Sequence, residues 1–208
     1  MTRRLPVYIV VDCSGSMAGN PIAEANRAVQ ALYCCIMQDP VTIETVWLSV
    51  VTFSDSATQI SPLTEACDFV IPELLAAGQK RLGLALTLLS ECVEREVRKT
   101  TGDQRGDWKP LVFLLTDGAI ADSWESPVQR IRDQGLRIIG LVCGDECDLS
   151  VLKRITTSAY LFRDLGPGAA SDLFRIPSSL FGATSYKMED LATDVPLPPP
   201  PPVIIIDL

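Results

Sequence analysis

The chain has 208 residues, of which 47% are hydrophobic and 21% are charged, a composition typical of one globular domain with a sizeable core. The formal net charge of −8 and the absence of a clustered Lys/Arg run argue against a nucleic-acid-binding surface. The sequence contains no histidine, which removes the commonest general base and the commonest transition-metal ligand.

Strand and helix patterns alternate through the first half of the chain. The apolar, β-branched residues 5–12 (LPVYIVVD) predict a central strand buried on both faces, and the small residues 13–19 predict a loop. The pattern that follows predicts a helix over 21–38, a strand over 43–53, an antiparallel edge strand over 57–62, an irregular segment over 63–81 and a helix over 82–99.

The alternation continues in the second half. The predicted elements are a strand at 110–116, a helix at 123–134, strands at 136–143 and 158–163 around a short helix at 148–156, and a helix at 168–181. Together the elements predict an α/β fold with a Rossmann-like, doubly wound, mostly parallel sheet and one antiparallel edge strand.

The end of the chain differs in composition from the rest. Proline-rich residues precede the β-prone strip Val203–Ile206, so we expect one domain over 1–185 and a tail over 186–208 that docks on it as an added strand. A linker to something else is the alternative.

The cysteines and the N-terminus bear on the compartment. The seven cysteines have no zinc-knuckle spacing and predict buried free thiols in a reducing cytosol, with a redox or soft-metal pair at Cys143 and Cys147 as the alternative. The N-terminus lacks the pattern of a secretory signal, and no apolar run approaches the roughly 18 residues of a membrane helix. We therefore expect a cytoplasmic protein that does not contact a membrane.

Two aspartates at predicted strand ends are the candidate functional residues. Asp12 ends the first strand and Asp117 follows a later one, and the carboxyl ends of parallel strands meet at one edge of a sheet. Ser14 and Ser16 add two hydroxyls on the same turn as Asp12. Such hard oxygen ligands suit Mg²⁺, Mn²⁺ or Ca²⁺.

The motif D-x-S-G-S after an apolar strand resembles the signature of the von Willebrand factor A (vWA) family. Thr116-Asp117-Gly118 resembles the second metal motif of that family. The segments RRLPVYIVVDCSGSM, LSVVTF and DWKPLVFLLTDG, together with the Pro-rich end, look like the TerY-type proteins of bacterial tellurium-resistance clusters. This likeness spans nearly the whole chain.

The resemblance implies a non-enzymatic protein-binding module with a metal-ion-dependent adhesion site (MIDAS). Asp12, Ser14, Ser16 and Asp117 match the metal positions, and an acidic residue of a protein partner would complete the coordination. The TerY-type likeness further implies stress signalling, with a kinase and a phosphatase encoded nearby as possible partners.

Lys80 departs from the family pattern. The loop that usually reads G-G-T-x-L-G is here GQKRLG, residues 78–83, which puts Lys80 at the position of the threonine. An ammonium has three donors and no lone pair, so it cannot ligate a cation. Either Lys80 points outward and leaves a weakened metal site, or it replaces the metal and pairs with Asp12 and Asp117 in a metal-free scaffold.

Two other function classes fit the residues less well. A phosphohydrolase of the haloacid dehalogenase type needs a second aspartate two residues after the first, where this chain has Ser14, and no general base is evident. The glycine-rich patterns that bind dinucleotides and nucleotide phosphates are absent from the sequence.

Overall fold

The structure, a computed structural model, describes residues 3–38, 40–118, 122–143, 152, 154–156, 158–162 and 204–206. The strands are β1 (Leu5–Asp12), β2 (Val46–Phe53), β3 (Ala57–Glu65), β4 (Leu111–Thr116), β5 (Arg137–Cys143), β6 (Ser158–Phe162) and β7 (Ile204–Ile206). The helices are α1 (Asn20–Ile36), α2 (Pro40–Thr45), α3 (Leu82–Glu96) and α4 (Glu125–Asp133), and 3-10 turns lie at Gly15–Met17 and Ala66–Asp68.

All of these strands belong to one sheet, in the order β3-β2-β1-β4-β5-β6-β7. The pairs formed by β1 with β2 and β4, by β4 with β5 and by β5 with β6 are parallel. The two outer strands, β3 and β7, pair antiparallel to β2 and β6. The predicted fold class is confirmed, and β7 adds a second antiparallel edge strand to the predicted one.

Strand β1 is the centre of the core because it is buried along its whole length. Its side chains alternate between two clusters: Val7, Ile9 and Val11 pack on the α1 side of the sheet, while Tyr8 and Val10 pack on the side of α3 and α4. Each fully buried Val or Ile contributes about 1.5–3 kcal/mol. Burial on both faces explains why this strand reads as an unbroken apolar run.

Several element boundaries differ from the predictions. The strand predicted to begin at residue 43 begins at Val46, because residues 40–45 form the short helix α2. Pro40 suits the first position of a helix, and the Thr42 hydroxyl donates to the Ile36 carbonyl at 2.6 Å. Helix α3 ends at Glu96 rather than at residue 99, and β3 continues to Glu65.

The prediction of buried thiols was only partly right. Cys13 and Cys92 are buried, but Cys34 and Cys67 are exposed. Cys34 lies on the outward face of α1, so the apolar run there is broader than the buried stripe. The alternative pair with Cys143 involves Cys147, which lies outside the described residues.

Parts of the predicted C-terminal region also lie outside the described residues. These parts are the helix at 168–181, most of the helix at 148–156 and the polyproline segment. The division at 185/186 therefore stays a prediction. In the portion of the chain that the structure covers, no helix combines the length and the apolar character needed to span a membrane.

Candidate functional site

The sheet topology brings the two predicted site aspartates together. β1 and β4 are parallel neighbours, with Val11 opposite Leu115. Asp12, at the end of β1, and Asp117, just after β4, therefore lie at the carboxyl ends of adjacent strands. The chain leaves β1 toward β2 on one side and returns as β4 on the other. Strand order reverses at this point, which is where open α/β sheets bind ligands.

The loop after β1 holds the two predicted serines. The Ser14 amide donates to Asp12 Oδ1 at 2.9 Å, and the hydroxyls of Ser14 and Ser16 lie 3.0 Å apart. Ser14 is buried and Ser16 is exposed. The Gly15 amide donates to the Gly78 carbonyl at 2.8 Å, and a Cβ at Gly15 would lie 3.3 Å from that oxygen, so a small residue suits this crossing.

Lys80 lies inside the site. Its ammonium nitrogen is 2.8 Å from Asp12 Oδ2 and forms an ion pair with Asp117 Oδ1. The side chains are 7% exposed for Lys80, 0% for Asp12 and 18% for Asp117. A single cation thus joins both carboxylates with little surface exposed to solvent, so Lys80 points into the site and not outward.

Thr116 completes the environment of Asp12. Its hydroxyl donates to Asp12 Oδ2 at 2.8 Å and accepts from the Gly118 amide at 3.1 Å. Asp12, which has no exposed surface, is therefore compensated by an amide, a hydroxyl and an ammonium, as a buried carboxylate requires. Thr116 was not among the predicted site residues, although it is the first residue of the T-D-G motif.

Backbone contacts fix the segment that carries Lys80 on its amino side. The Ala77 amide donates to the Cys13 carbonyl at 2.8 Å, and the Gln79 amide donates to Asp55 Oδ1 at 3.0 Å. Gly78 has a φ of +81°, a left-handed conformation that glycine adopts without strain. The two hydrogen bonds and the conformation of Gly78 therefore hold the turn that directs Lys80 into the site.

Asp122 fixes the same segment on its carboxyl side. Its carboxylate accepts from the amides of Leu82 at 3.0 Å and Gly83 at 2.7 Å, the first two residues of α3. From the sequence alone, Asp122 or Ser123 looks like a cap of the helix that follows, but α4 begins after Trp124 without a side-chain cap. Asp122 instead joins the loop after β4 to the start of α3.

The donor set does not fit a divalent cation while Lys80 keeps this position. A cation between the two aspartates would lie beside the ammonium, and +2 against +1 at ~4 Å costs about 8 kcal/mol at an effective dielectric of 20. Burial, and to a lesser extent Asp12, raise the pKa of the neighbouring Cys13 thiol to about 11, so this thiol adds no negative charge to the site at neutral pH. The oxygens alone would suit Mg²⁺ or Mn²⁺.

An open, mostly parallel sheet with an aspartate–serine loop at the point where strand order reverses is the arrangement expected of a vWA-type domain. The sequence matches the von Willebrand factor type A domain family over residues 7–166. The chain belongs to this family. A comparison with curated proteins gave no match.

Solved structures similar to the chain share its fold at low sequence identity. The vWF domain of the type V pili tip protein Mfa5 from Porphyromonas gingivalis has a TM-score of 0.69 at 11% identity, covering 90% of this chain and 98% of that one. The pilus adhesin SpaC from Lactobacillus rhamnosus GG has a TM-score of 0.68 at 14% identity, covering 86% and 31%.

A third similar structure contains a metal. The proximal thread matrix protein 1 from the mussel byssus, with a zinc-occupied MIDAS motif, has a TM-score of 0.59 at 22% identity, covering 85% of this chain and 46% of that one. The chain spans about half or less of the length of the first matched structures. A domain of this family can thus hold a divalent metal. Domains with this fold occur in adhesins and in matrix proteins.

Proposed function

We propose that this chain is a non-enzymatic protein-interaction module of the vWA family in which the Lys80 ammonium takes the place of the divalent cation. One observation carries the proposal: Lys80 contacts both Asp12 and Asp117, the residues that match the metal positions. The ammonium supplies positive charge between the two carboxylates and so reduces their repulsion, as a metal ion would.

The sequence leaves two alternatives open: a weakened metal site with Lys80 outside it, and a metal-free scaffold with Lys80 inside it. A metal-bridged site that captures an acidic partner residue requires Lys80 to point into solvent. The buried ion pairs of Lys80, together with the contacts that hold its loop to Cys13 and Asp55, support the metal-free scaffold instead.

The finer implications of the resemblance stay predictions. Membership of the TerY-type group, a role in tellurium resistance or stress signalling, partnership with a kinase or phosphatase and a cytoplasmic location each need a separate test. A protein partner of some kind is supported by the adhesin and matrix proteins among the similar structures.

No observation at the site favours the phosphohydrolase alternative. The Asp12 carboxylate would be the nucleophile, but it is fully buried and both of its oxygens accept hydrogen bonds or the Lys80 ion pair. A phosphate monoester screen that found turnover, lost in Asp12→Asn, would favour that alternative.

Calorimetric titration of Mg²⁺ and Mn²⁺ tests the proposal. We expect no saturable binding by the wild-type protein at millimolar metal. We expect Lys80→Thr to bind at least about tenfold more tightly, because the substitution removes the repelling charge and adds a hydroxyl ligand.

Lys99→Thr is the matched control, because Lys99 is exposed in the loop after α3 at the opposite edge of the sheet. This variant should behave as the wild type does. Saturable binding of Mg²⁺ or Mn²⁺ by the wild type, with an affinity equal to that of Lys80→Thr, would contradict the proposal.

A further inference from the structure

Replacing a divalent cation by an ammonium changes the charge that the site presents to a partner. Two carboxylates and a divalent cation are neutral together, and such a cation can still accept a carboxylate as a further ligand. Asp12, Asp117 and Lys80 together keep one negative charge. Lys80 cannot act as a substitute cation for a partner's carboxylate with the same strength, because its charge is already shared between two aspartates.

The residues around this trio increase the negative charge. Asp55 lies on the amino side of the Lys80 segment and Asp122 on its carboxyl side, each bonded to backbone amides of that segment. Arg81, which is exposed, is the neighbouring cation along the chain. The four aspartates thus outnumber Lys80 and Arg81, and the excess is negative.

Exposed apolar side chains flank the same segment along the chain. Leu75, which is 73% exposed, comes two residues before the Ala77 amide that bonds to the loop after β1. Leu84, which is 45% exposed, lies in the first turn of α3, next to the Gly83 amide that Asp122 caps. Leu75 and Leu84 thus offer exposed apolar side chains at the two ends of the segment that carries Lys80.

We propose that this face binds a protein segment through a basic side chain, Arg or Lys, with apolar residues on either side of it. The inference rests on the proposed function, because it requires the ammonium of Lys80 and not a metal between the aspartates. Asp117, the most exposed member of the trio at 18%, is the carboxylate that an incoming guanidinium or ammonium would meet first. An acidic partner side chain would instead meet an excess of like charge.

The test compares three capped peptides that differ at one position. They are acetyl-Gly-Leu-Arg-Leu-Gly-amide and the same peptide with Gln or Glu in place of Arg, titrated in the presence of a chelator and followed by backbone amide shifts in NMR spectra. We expect the Arg peptide to shift the amides of residues 12–16, 78–83 and 117–118, with a dissociation constant in the millimolar range. The Gln peptide should bind more weakly, and the Glu peptide most weakly.

Matched variants separate the charge from the apolar contact. Asp117→Asn should weaken the Arg peptide about fivefold and reduce the difference between the three peptides. Asp103→Asn removes an exposed carboxylate from the loop at the opposite edge of the sheet and should change nothing. Leu84→Ser should weaken all three peptides by similar factors.

Three results would overturn the inference: a Glu peptide that binds as well as the Arg peptide, no binding by any peptide, or an Arg peptide insensitive to Asp117→Asn. These failures differ from failure of the proposed function. Saturable Mg²⁺ binding by the wild type in calorimetry would contradict the replacement of the metal by Lys80. If the wild type does not bind Mg²⁺ and the three peptides bind equally in the presence of chelator, only the proposal of a basic partner fails.

Discussion

Buried ion pairs lie at both ends of the parallel strands: one at their amino ends, the amino edge of the sheet, and one at their carboxyl ends, the carboxyl edge. The two groups differ in their charge balance. At the amino edge, Arg4 Nε donates to Asp107 Oδ1 at 2.8 Å and Arg4 Nη2 pairs with Asp107 Oδ2. The Arg98 amide also donates to Asp107 Oδ2 at 2.8 Å. At the carboxyl edge, Lys80 is shared between Asp12 and Asp117. The pair of Arg4 and Asp107 is neutral, whereas Lys80 with its two aspartates keeps one negative charge.

The difference separates a structural contact from a candidate binding site. The Arg4 guanidinium also lies 4.5 Å from the ring centroid of Trp47, so charge, hydrogen bonds and ring contact are all satisfied within the chain. The Lys80 trio leaves a charge uncompensated and keeps Asp117 partly exposed. A basic side chain of a partner would add favourable electrostatic energy at the Lys80 trio, whereas the charges of Arg4 and Asp107 already balance each other.

The amino-edge pair should give the largest stability change. Arg4→Met leaves Asp107, whose side chain is 3% exposed, without its bidentate partner, and we expect a loss of about 4 kcal/mol in the free energy of unfolding. Urea denaturation measures the change. Arg105→Met, at an exposed position in the same loop, should stay within about 0.5 kcal/mol of the wild type; equal effects of the two variants would remove the structural role of Arg4.

The carboxyl-edge pair should be somewhat less costly to break. Lys80→Met should destabilise the fold by about 3 kcal/mol, because Asp12 keeps its bonds from the Ser14 amide and the Thr116 hydroxyl and Asp117 can turn toward solvent. Lys99→Met is the control in urea denaturation. A loss below about 1 kcal/mol for Lys80→Met, as for an exposed ion pair, would mean that the ammonium does not occupy the site.

The cap provided by Asp122 should have a smaller effect. Asp122→Ala removes the acceptor for the Leu82 and Gly83 amides, and we expect a loss of about 1 kcal/mol, as for other helix caps. Asp103→Ala, which lies in an exposed loop, is the matched control. If thermal unfolding gave the same midpoint for both variants, the link between the loop after β4 and α3 would have no energetic role.

The smallest effect concerns thiol reactivity and pH. Because burial raises the pKa of Cys13 to about 11, its thiol is protonated at pH 8, and its alkylation should be slow and rise only as pH approaches that value. The exposed Cys34 and Cys67 should react with iodoacetamide before Cys13, as peptide mass mapping would show. Rapid labelling of Cys13 at pH 8 in the folded protein would contradict its burial beside the site.

Local patterns in the sequence were sufficient to predict the fold class and to place Asp12 and Asp117 at neighbouring strand ends. The run LPVYIVVD predicts both ends of β1 correctly. A strand that is buried on both faces is apolar along its whole length, so its ends coincide with the ends of the apolar run. Asp12 and Asp117 were predicted to converge because the carboxyl ends of parallel strands share an edge. The position of Lys80 in the loop also identified it as a residue that could change the site.

Contacts between distant residues were not predictable in the same way. Arg4 and Asp107 are 103 residues apart, and neither has a local pattern that names its partner. Asp122 precedes a helix and looks like its cap, but the packing of α3 brings the Leu82 and Gly83 amides closer. The choice between an inward and an outward Lys80 depended on the turn at Gly78 and the bond from Gln79 to Asp55, which no spacing rule specifies.

Unfolding of wild type, Lys80→Thr and Lys80→Met with and without Mg²⁺, at matched ionic strength, tests most directly whether Lys80 stands in place of a metal. We predict that Mg²⁺ raises the free energy of unfolding of Lys80→Thr alone, by about 2.7 kcal/mol when the metal exceeds its dissociation constant a hundredfold. The wild type and Lys80→Met should not respond. An equal rise for the wild type would contradict the replacement of the cation by the Lys80 ammonium.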